Sequence, residues 1–440
     1  MANVLQEQPM NWVQEVVDLH SELESPESFW RWAAISAISA VVKDNVWLNQ
    51  QIFNLYPNIY TMFHADSGLK KGPPVNMAKK LVKLVNNTRI ITGRGSIQGI
   101  LKEMGTAYTQ PGGKVQAKSV AFICSSELSS SIVEDKVATK ILTDLYDRIY
   151  NEGEWRSLLK METFTLKDPT VTMLTATNEA MSDDFFTKSA IQGGYFARTF
   201  IIYEKESPTV NSLIYPLEKE ISYGSVADYL KEIANLNGPF EALASNEKSN
   251  CYKYKKIKRG KSGTREIYFN EVGMIFDDWY ENFKELIKMS EHKDETGTMN
   301  RFDASVMKVA MLLSLAEHPK LIITENAIRT AIGECEKLLG NARKTTLGKQ
   351  GISHAALLKT LIIMELINRP NHQVSRAMLM KKMWQHYQNA TEFDDMMQGF
   401  EASGMITTQS MGNQIIYVMP ETQAKEMKEY LAGKNKRKES

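Results

Sequence analysis

Lys71 closes the segment His64-Ala65-Asp66-Ser67-Gly68-Leu69-Lys70-Lys71-Gly72-Pro73-Pro74. An apolar run, Ile59–Phe63, leads into it, and a helical pattern through Asn76, Lys79, Leu81 and Val82 follows. A strand, a tight loop ending in lysine and a helix N-terminus make a phosphate cradle: loop amides and the helix dipole face the anion, and the lysine reaches the outer phosphates. On the pattern GxxxxGK[ST], Ala65 takes the first glycine, Lys70 the second and Lys71 the lysine, while Gly72 replaces the magnesium-binding hydroxyl. The predicted cradle is Ala65, Asp66, Ser67, Gly68, Leu69, Lys70, Lys71, Gly72 and Pro73. By itself the segment reads equally well as a basic turn entering a helix.

Three further segments raise the cradle above that reading. Ser119 to Glu127 has the form of a buried strand ending in polar residues, where a nucleotide site presents one acid for magnesium and a second to polarise water. Ser126 stands in the metal position, and Glu127 keeps the position of the base. A third strand, Thr170–Ala176, runs into Thr177-Asn178-Glu179, so that an amide lies beside the acidic position if the strands are neighbours. Asn178 can orient water and contact a terminal phosphate without adding charge. Arg198 precedes a fifth strand, where an arginine either reaches a neighbouring subunit's phosphate or forms a surface salt bridge.

The elements that must hold these residues follow from periodicity. Ser25 as a cap and Pro26 at the first helical position begin an apolar helix through Phe29, Trp32, Ile35, Ile38 and Val41, a collar expected over residues 1–56. From Pro57 to about residue 205, the runs IYTMF, RIIT, SVAFIC, TVTMLTAT and RTFIIY alternate with helical patterns, which predicts an α/β layered domain with a largely parallel sheet. Residues 206–349 carry a basic strand–turn–strand, CYKYKKIKRGKSGTREIYF, and a helical lid in which Thr324 caps one helix. Residues 350–440 read as three helices, the second from Ser375 and the third behind Thr391, then a two-stranded ribbon. That is the order of a winged helix, followed here by a basic tail.

With these segments in place, the chain resembles the AAA+ ATPases, and more narrowly the phage and mobile-element replication ATPases with a degenerate phosphate loop of the form SGxxKG. LYPNIYTMFHADSGLKKG, FICSSEL, DPTVTMLTATNEAM and GGYFARTFIIYE carry the resemblance, which with the lid covers roughly residues 28–340. It implies ATP and Mg2+ as cofactors, Lys71 as the Walker A lysine, Glu127 as the Walker B base, Asn178 as sensor 1 and Arg198 as the arginine finger. Arg301, at the head of RFDASVMKVAMLLSLAEH, is similar to the sensor 2 arginine of the lid helix in MCM-type helicases. The implied assembly is a homo-oligomeric ring, commonly a hexamer, that moves on DNA. Gly72 and Ser126 depart from the pattern by removing the two usual protein contacts to magnesium, which leaves slow hydrolysis, or binding without turnover, open.

For single-stranded DNA the sequence offers two patches. Glu154 to Thr165 alternates as a hairpin ahead of Asn178, with Arg156 and Lys160 as candidates for the pore of a ring. Tyr252 to Arg265 interleaves basic residues, among them Lys256, Lys258 and Arg259, with Tyr252 and Tyr254, which is a single-strand recipe; a solvated edge hairpin reads the same way. The third C-terminal helix carries Glu392, Asp394, Asp395 and Glu401 and no basic residue, so the major groove would repel it. That domain is expected to contact partner proteins, with Arg376, Lys381 and Lys382 as a lesser DNA surface.

Composition bounds the alternatives. Fifty-three basic against fifty-two acidic residues give the 440-residue chain a charge of +1, so any DNA contact is local. Cys124, Cys251 and Cys335 are too scattered for a disulfide scaffold or structural zinc. The longest nearly apolar run, Trp32–Val42, falls well short of the about twenty residues a bilayer requires, and the N-terminus lacks a signal layout. A soluble, cytoplasmic protein is expected. Two other readings stay beside the DNA-driven ATPase: a nucleotide-binding scaffold with little turnover, and an AAA+ motor acting on protein.

Overall fold

A computed structural model of the chain describes residues 11–50, 52–92, 96–106, 108–109, 115–116, 118–126, 136–147, 153–158, 163–178, 194–207, 220–246, 253–258, 264–289, 298–342, 362–363, 365–383, 390–412, 414–425 and 427. The chain divides into two compact units, residues 1–343 and 344–440. The boundary expected at 349/350 falls outside the described residues.

The first unit opens with α1 (Trp12–Asp18), α2 (Glu27–Val42) and a short ribbon of β1 (Val46–Asn49) and β2 (Asn54–Leu55). There follow β3 (Tyr60–Ala65), α3 (Gly72–Val85), β4 (Arg89–Ile91), α4 (Ile97–Gly105), a ribbon of β5 (Tyr108–Thr109) and β6 (Val115–Gln116), β7 (Val120–Ser125) and α5 (Lys136–Tyr146). A hairpin of β8 (Glu154–Leu158) and β9 (Thr163–Lys167) leads to β10 (Thr170–Asn178), and a 3-10 turn at Phe196–Arg198 leads to β11 (Thr199–Tyr203). The five apolar runs seen in the sequence are β3, β4, β7, β10 and β11. They form one all-parallel sheet in the order β11-β3-β10-β7-β4.

Both faces of this sheet are covered, as parallel sheets require, and β3 is buried along its whole length. Phe63, Phe122, Leu174 and Phe200 face a core shared with α2, α3 and the later helices. Tyr60, Met62, Ile123, Met173 and Ile201 face a second core with α4 and α5. Helix α2 is apolar nearly all round, as a helix buried on all sides must be. Its two buried serines keep their hydroxyls satisfied: Ser36 donates to Trp32 O (2.8 Å) and bonds the Thr61 hydroxyl (3.0 Å), and Ser39 bonds Pro57 O (2.9 Å) and Thr172 (2.8 Å). These bonds fix the helix to β3 and β10.

The expected cap at Ser25 is not formed. Pro26 is the N-cap of α2, and Ser25 turns its hydroxyl to the Lys70 carbonyl instead.

The rest of the unit comprises α6 (Gly224–Ala234), β12 (Gly238–Pro239), β13 (Ala244–Ser245), β14 (Lys253–Lys258), β15 (Thr264–Phe269), α7 (Glu271–Met289), α8 (Thr298–Glu317) and α9 (Glu325–Ala342). The basic strand–turn–strand is β14 and β15, joined by β13 in a three-stranded sheet. Thr324 caps α9, its hydroxyl accepting from the Ala327 amide at 3.0 Å. Helix α8, expected as part of a helical lid, is buried from Val306 to Leu313 and belongs to the core under α2.

In the second unit, β16 (Gln373–Ser375), α10 (Arg376–Met383), α11 (Ala390–Ala402), β17 (Thr407–Met411) and β18 (Gln414–Val418) enclose a small core around Leu379, Phe393, Phe400 and Tyr417. The expected two-stranded ribbon is a three-stranded sheet, because β16 pairs with β18. Thr391 lies inside α11 rather than ahead of it. Among the described residues no helix is long and apolar enough to cross a membrane.

Candidate functional site

The loop after β3 lies at the carboxyl end of the parallel sheet, beside the point where the chain leaves β3 for the far edge and later returns across it to β11. Ligands of open α/β sheets bind in the crevice at such a switch point. An open cleft of about 380 Å³ is found there, lined by Ser67, Gly68, Leu69, Lys70, Lys71, Gly72, Ser126, Ala176, Thr177 and Asn178. The register explains this grouping: Asn178 on β10 lies opposite Ala65 on β3, and Thr175 lies opposite Ser125 on β7. Asn178 is therefore beside the lysine loop on one side and the Ser126 end on the other, as expected if the strands are neighbours. Glu127 lies outside the described residues.

The loop is a tight, partly left-handed turn. Gly68 has φ +96° and Lys70 φ +45°, so two residues are left-handed, while the Leu69 and Lys70 amides close the turn on Asp66 O (3.4 Å) and Gly68 O (2.8 Å). A Cβ at Gly68 would meet nothing within 4 Å, so the backbone angle is what requires glycine there. Lys71 donates from Nζ to the carbonyls of Ala65 and Asp66, both at 2.7 Å. Burial pulls its pKa below the ordinary lysine value, and Asp66 opposes the shift. Lys70 is directed elsewhere, its Nζ 3.8 Å from the Glu24 carboxylate.

One expectation needs correction. Pro73 can contact a phosphate only through carbon, because it carries no N–H, and Pro74 repeats the deficit. Two of the amides that a helix N-terminus turns towards an anion are thus missing from α3. Lys71 and the loop amides not closed on the loop itself would have to carry that share.

The lysine over the loop and the open cleft of about 380 Å³ offer the chemistry that the phosphates of ATP would require. The described residues offer magnesium much less: Gly72 has no hydroxyl, Ser126 replaces a carboxylate, and no group of three His, Cys, Asp or Glu that could hold a metal occurs among them. They do not make a protein-held magnesium site.

Arg198 and Arg301 are brought together, but away from this cleft. Both line a second cavity of about 380 Å³, with Asn58, Tyr146, Asp147 and Lys308, at the opposite end of the sheet, where Asn58 precedes β3 and Arg198 precedes β11. The Arg198 guanidinium is buried and turned inward. Its Nε donates to both Asp147 oxygens (3.1 Å), Nη2 bonds the same carboxylate, and Nη1 donates to Gly194 O (2.9 Å). The salt bridge foreseen for Arg198 is thus internal rather than on the surface. Arg301 is exposed on α8.

The hairpin before Asn178 is present as β8 and β9. Arg156 is 65% exposed and pairs with Glu154; Lys160 lies outside the described residues. On β14, Lys256 and Lys258 are opposite Glu266 and Thr264, while Lys255 turns to Asp277 (2.9 Å) and Glu281 of α7; Arg259 lies outside the described residues. In the second unit Arg376 forms a two-pronged pair with Asp394 of α11 (2.9 and 2.7 Å), and Lys382 pairs with Glu365. Two of the three basic residues considered there for DNA are used internally.

Three features escape a reading of the sequence: Asp147 as the partner of Arg198, the buried Lys308, and the contacts of Glu24 and Ser25 with the loop. Their only signal is Ser25-Pro26, which also reads as a helix cap. No protein-family model matches this chain, and no curated protein matches it.

Proposed function

We propose that the chain is an ATP-dependent, ring-forming ATPase of the phage and mobile-element replication type that its sequence resembles, driven along single-stranded DNA. The observation that carries this reading is the lysine loop at the carboxyl end of β3, facing Asn178 and Ser126 across one cleft at the switch point of a parallel sheet. In this reading Lys71 neutralises the outer phosphates, its backbone amide adds a donor, and Asn178 orients the attacking water that Glu127 deprotonates. ATP supplies the phosphoanhydride that is cleaved.

A distance supports the ring. Six residues of β3, at about 3.3 Å each, put Arg198 about 20 Å from the loop, too far to reach phosphates bound there in its own subunit, and Arg301 lines the same distant cavity. A second copy presenting its cleft to that end of the sheet would bring both arginines to its phosphates. The weak provision for magnesium favours one other reading, a nucleotide-binding scaffold with little turnover.

ATP hydrolysis measured with and without single-stranded DNA tests the proposal. Stimulation by DNA is expected. Binding without turnover would favour the scaffold, and turnover indifferent to DNA would favour a motor acting on protein.

A further inference from the structure

We propose that Ser25 is a positioning residue for the phosphate cradle, holding the Lys70 carbonyl so that the Lys71 amide is presented to the cleft. The proposal rests on the phosphate reading of that cleft.

Ser25 is buried, and its hydroxyl donates to Lys70 O at 2.7 Å across 45 residues of sequence. In a trans peptide the carbonyl and the following N–H point in opposite directions. Fixing the Lys70 carbonyl on Ser25 therefore fixes the Lys71 amide away from Ser25. Lys70 needs such a restraint, because at φ +45° it holds a left-handed conformation that is unfavourable for a residue with a Cβ. The amide matters more here than in an ordinary phosphate loop, since Pro73 and Pro74 remove two donors from the first turn of α3.

Ser25 is itself held. Its carbonyl accepts from Trp30 Nε1 at 3.1 Å, and Trp30 stacks on His20 at 4.1 Å between ring centres. His20 is tied to Val16 O through Nδ1 (2.6 Å) and to the Tyr223 hydroxyl through Nε2 (3.0 Å). The neighbouring Glu24 accepts a bond from Ser207 through its carbonyl, and its carboxylate faces Lys70 Nζ. Glu24 thus draws the Lys70 ammonium aside and leaves Lys71 over the loop, while Ser25 sets the peptide between the two lysines.

The test is the Kd for ATP of the full chain, by titration calorimetry, in a two-by-two set of Ser25→Ala and Lys70→Gly. Glycine adopts the left-handed conformation without a Cβ penalty. Ser25→Ala is expected to weaken ATP binding by about fivefold to tenfold with Lys70 present, the scale of that penalty, and by less than about twofold in the Lys70→Gly background. Ser25→Cys, of similar size but a weak donor, should fall between wild type and Ser25→Ala, and it replaces Ser25→Ala if that variant does not fold. Equal losses in the two backgrounds, or a lowered unfolding temperature with an unchanged Kd, would overturn the positioning role. Lys71→Ala, measured alongside, separates the two ideas. If it binds ATP as wild type does, the phosphate reading fails; if it loses binding while Ser25→Ala keeps it, only the role of Ser25 fails.

Discussion

Lys308 should make the stability of the first unit rise with pH. It lies on α8 with 4% of its surface exposed; its Nζ donates to Asn58 O (3.0 Å) and Asn58 Oδ1 (2.9 Å) and sits 3.8 Å over the Tyr146 ring. Burial lowers its pKa from 10.5 to about 7, with Asp147 opposing and Arg198 adding to the shift. The charged groups around it are Asp147 from the end of α5, Arg198 from the 3-10 turn, and Arg301 and Asp303 from α8 itself. The folded chain therefore releases this proton near neutrality, whereas the unfolded chain keeps it until the ordinary lysine range. Between these limits the unfolded state binds more protons, so stability increases with pH. At 1.36 kcal/mol per pH unit for one proton, and with partial titration near neutrality, the gain between about pH 7 and about pH 9 is roughly 2 kcal/mol. Lys308→Met removes the titrating group. The variant also strips two oxygens of Asn58 of a donor, so the informative quantity is how the difference from wild type changes with pH, not its value at any one pH. Lys43, lowered to about 8 by burial, contributes equally to both proteins and cancels. Burial raises Tyr60, Tyr146 and Tyr195, which would act with the opposite sign, but only in more alkaline solution. Urea unfolding followed by tryptophan fluorescence reports on this unit through buried Trp12, Trp30 and Trp32. Wild type should gain about 2 kcal/mol on the variant over that range; a difference that stays flat with pH would refute the buried, neutral lysine.

Lys71→Ala should abolish ATP binding while Lys70→Ala only weakens it, because Lys71 lies over the loop and Lys70 faces Glu24; equal affinities in calorimetry would remove the assignment. Asp147→Ala should destabilise the first unit by about 3 kcal/mol, since it leaves the buried Arg198 charge without its partner, and an unchanged thermal unfolding midpoint would count against that pair. Subunits carrying Arg198→Ala mixed with subunits carrying Glu127→Gln should recover some hydrolysis at interfaces where an intact arginine meets an intact base, and complete failure in assembled mixtures would argue against a shared site. Arg156→Ala with Lys160→Ala should flatten the salt dependence of single-strand binding by about 0.7 in log–log slope for each phosphate that is no longer neutralised, whereas truncation after Lys349 should leave affinity within a few fold. The reverse outcome would transfer DNA binding to the C-terminal unit.

The five core strands are legible because a strand buried on both faces reads as an unbroken apolar run, and both hairpins are legible from alternation. Their spatial order is not. Nothing in TVTMLTATN says that it lies between IYTMF and SVAFIC, yet that placement brings Asn178 opposite Ala65 and beside the Ser126 end. Single residues whose partners are distant in sequence are hidden for the same reason. Arg198 finds Asp147 51 residues away, and Lys308 finds Asn58 250 residues away. Ser25 misleads because a serine before proline at the start of an apolar helix satisfies the capping pattern whether its hydroxyl turns to its own helix or, as here, to a loop on another element.

The cradle and the arginines also differ in how they are prepared for a ligand. The loop is set by contacts that leave its lining open: the carbonyl of Lys70 is held from behind by Ser25, and Lys71 spans two carbonyls of its own loop. An incoming phosphate need displace only the lysine, whose ammonium exchanges neutral carbonyls for an anion, the stronger partner. Arg198 has the reverse arrangement, since its guanidinium already holds a carboxylate with Nε and Nη2 and a carbonyl with Nη1. A phosphate reaching it must either compete with Asp147 or use the N–H groups those bonds leave over. Arg301 is exposed in the same cavity and carries no such burial. If the proposed ring forms, engagement of Arg198 by a neighbouring phosphate requires its pair with Asp147 to be rearranged or shared.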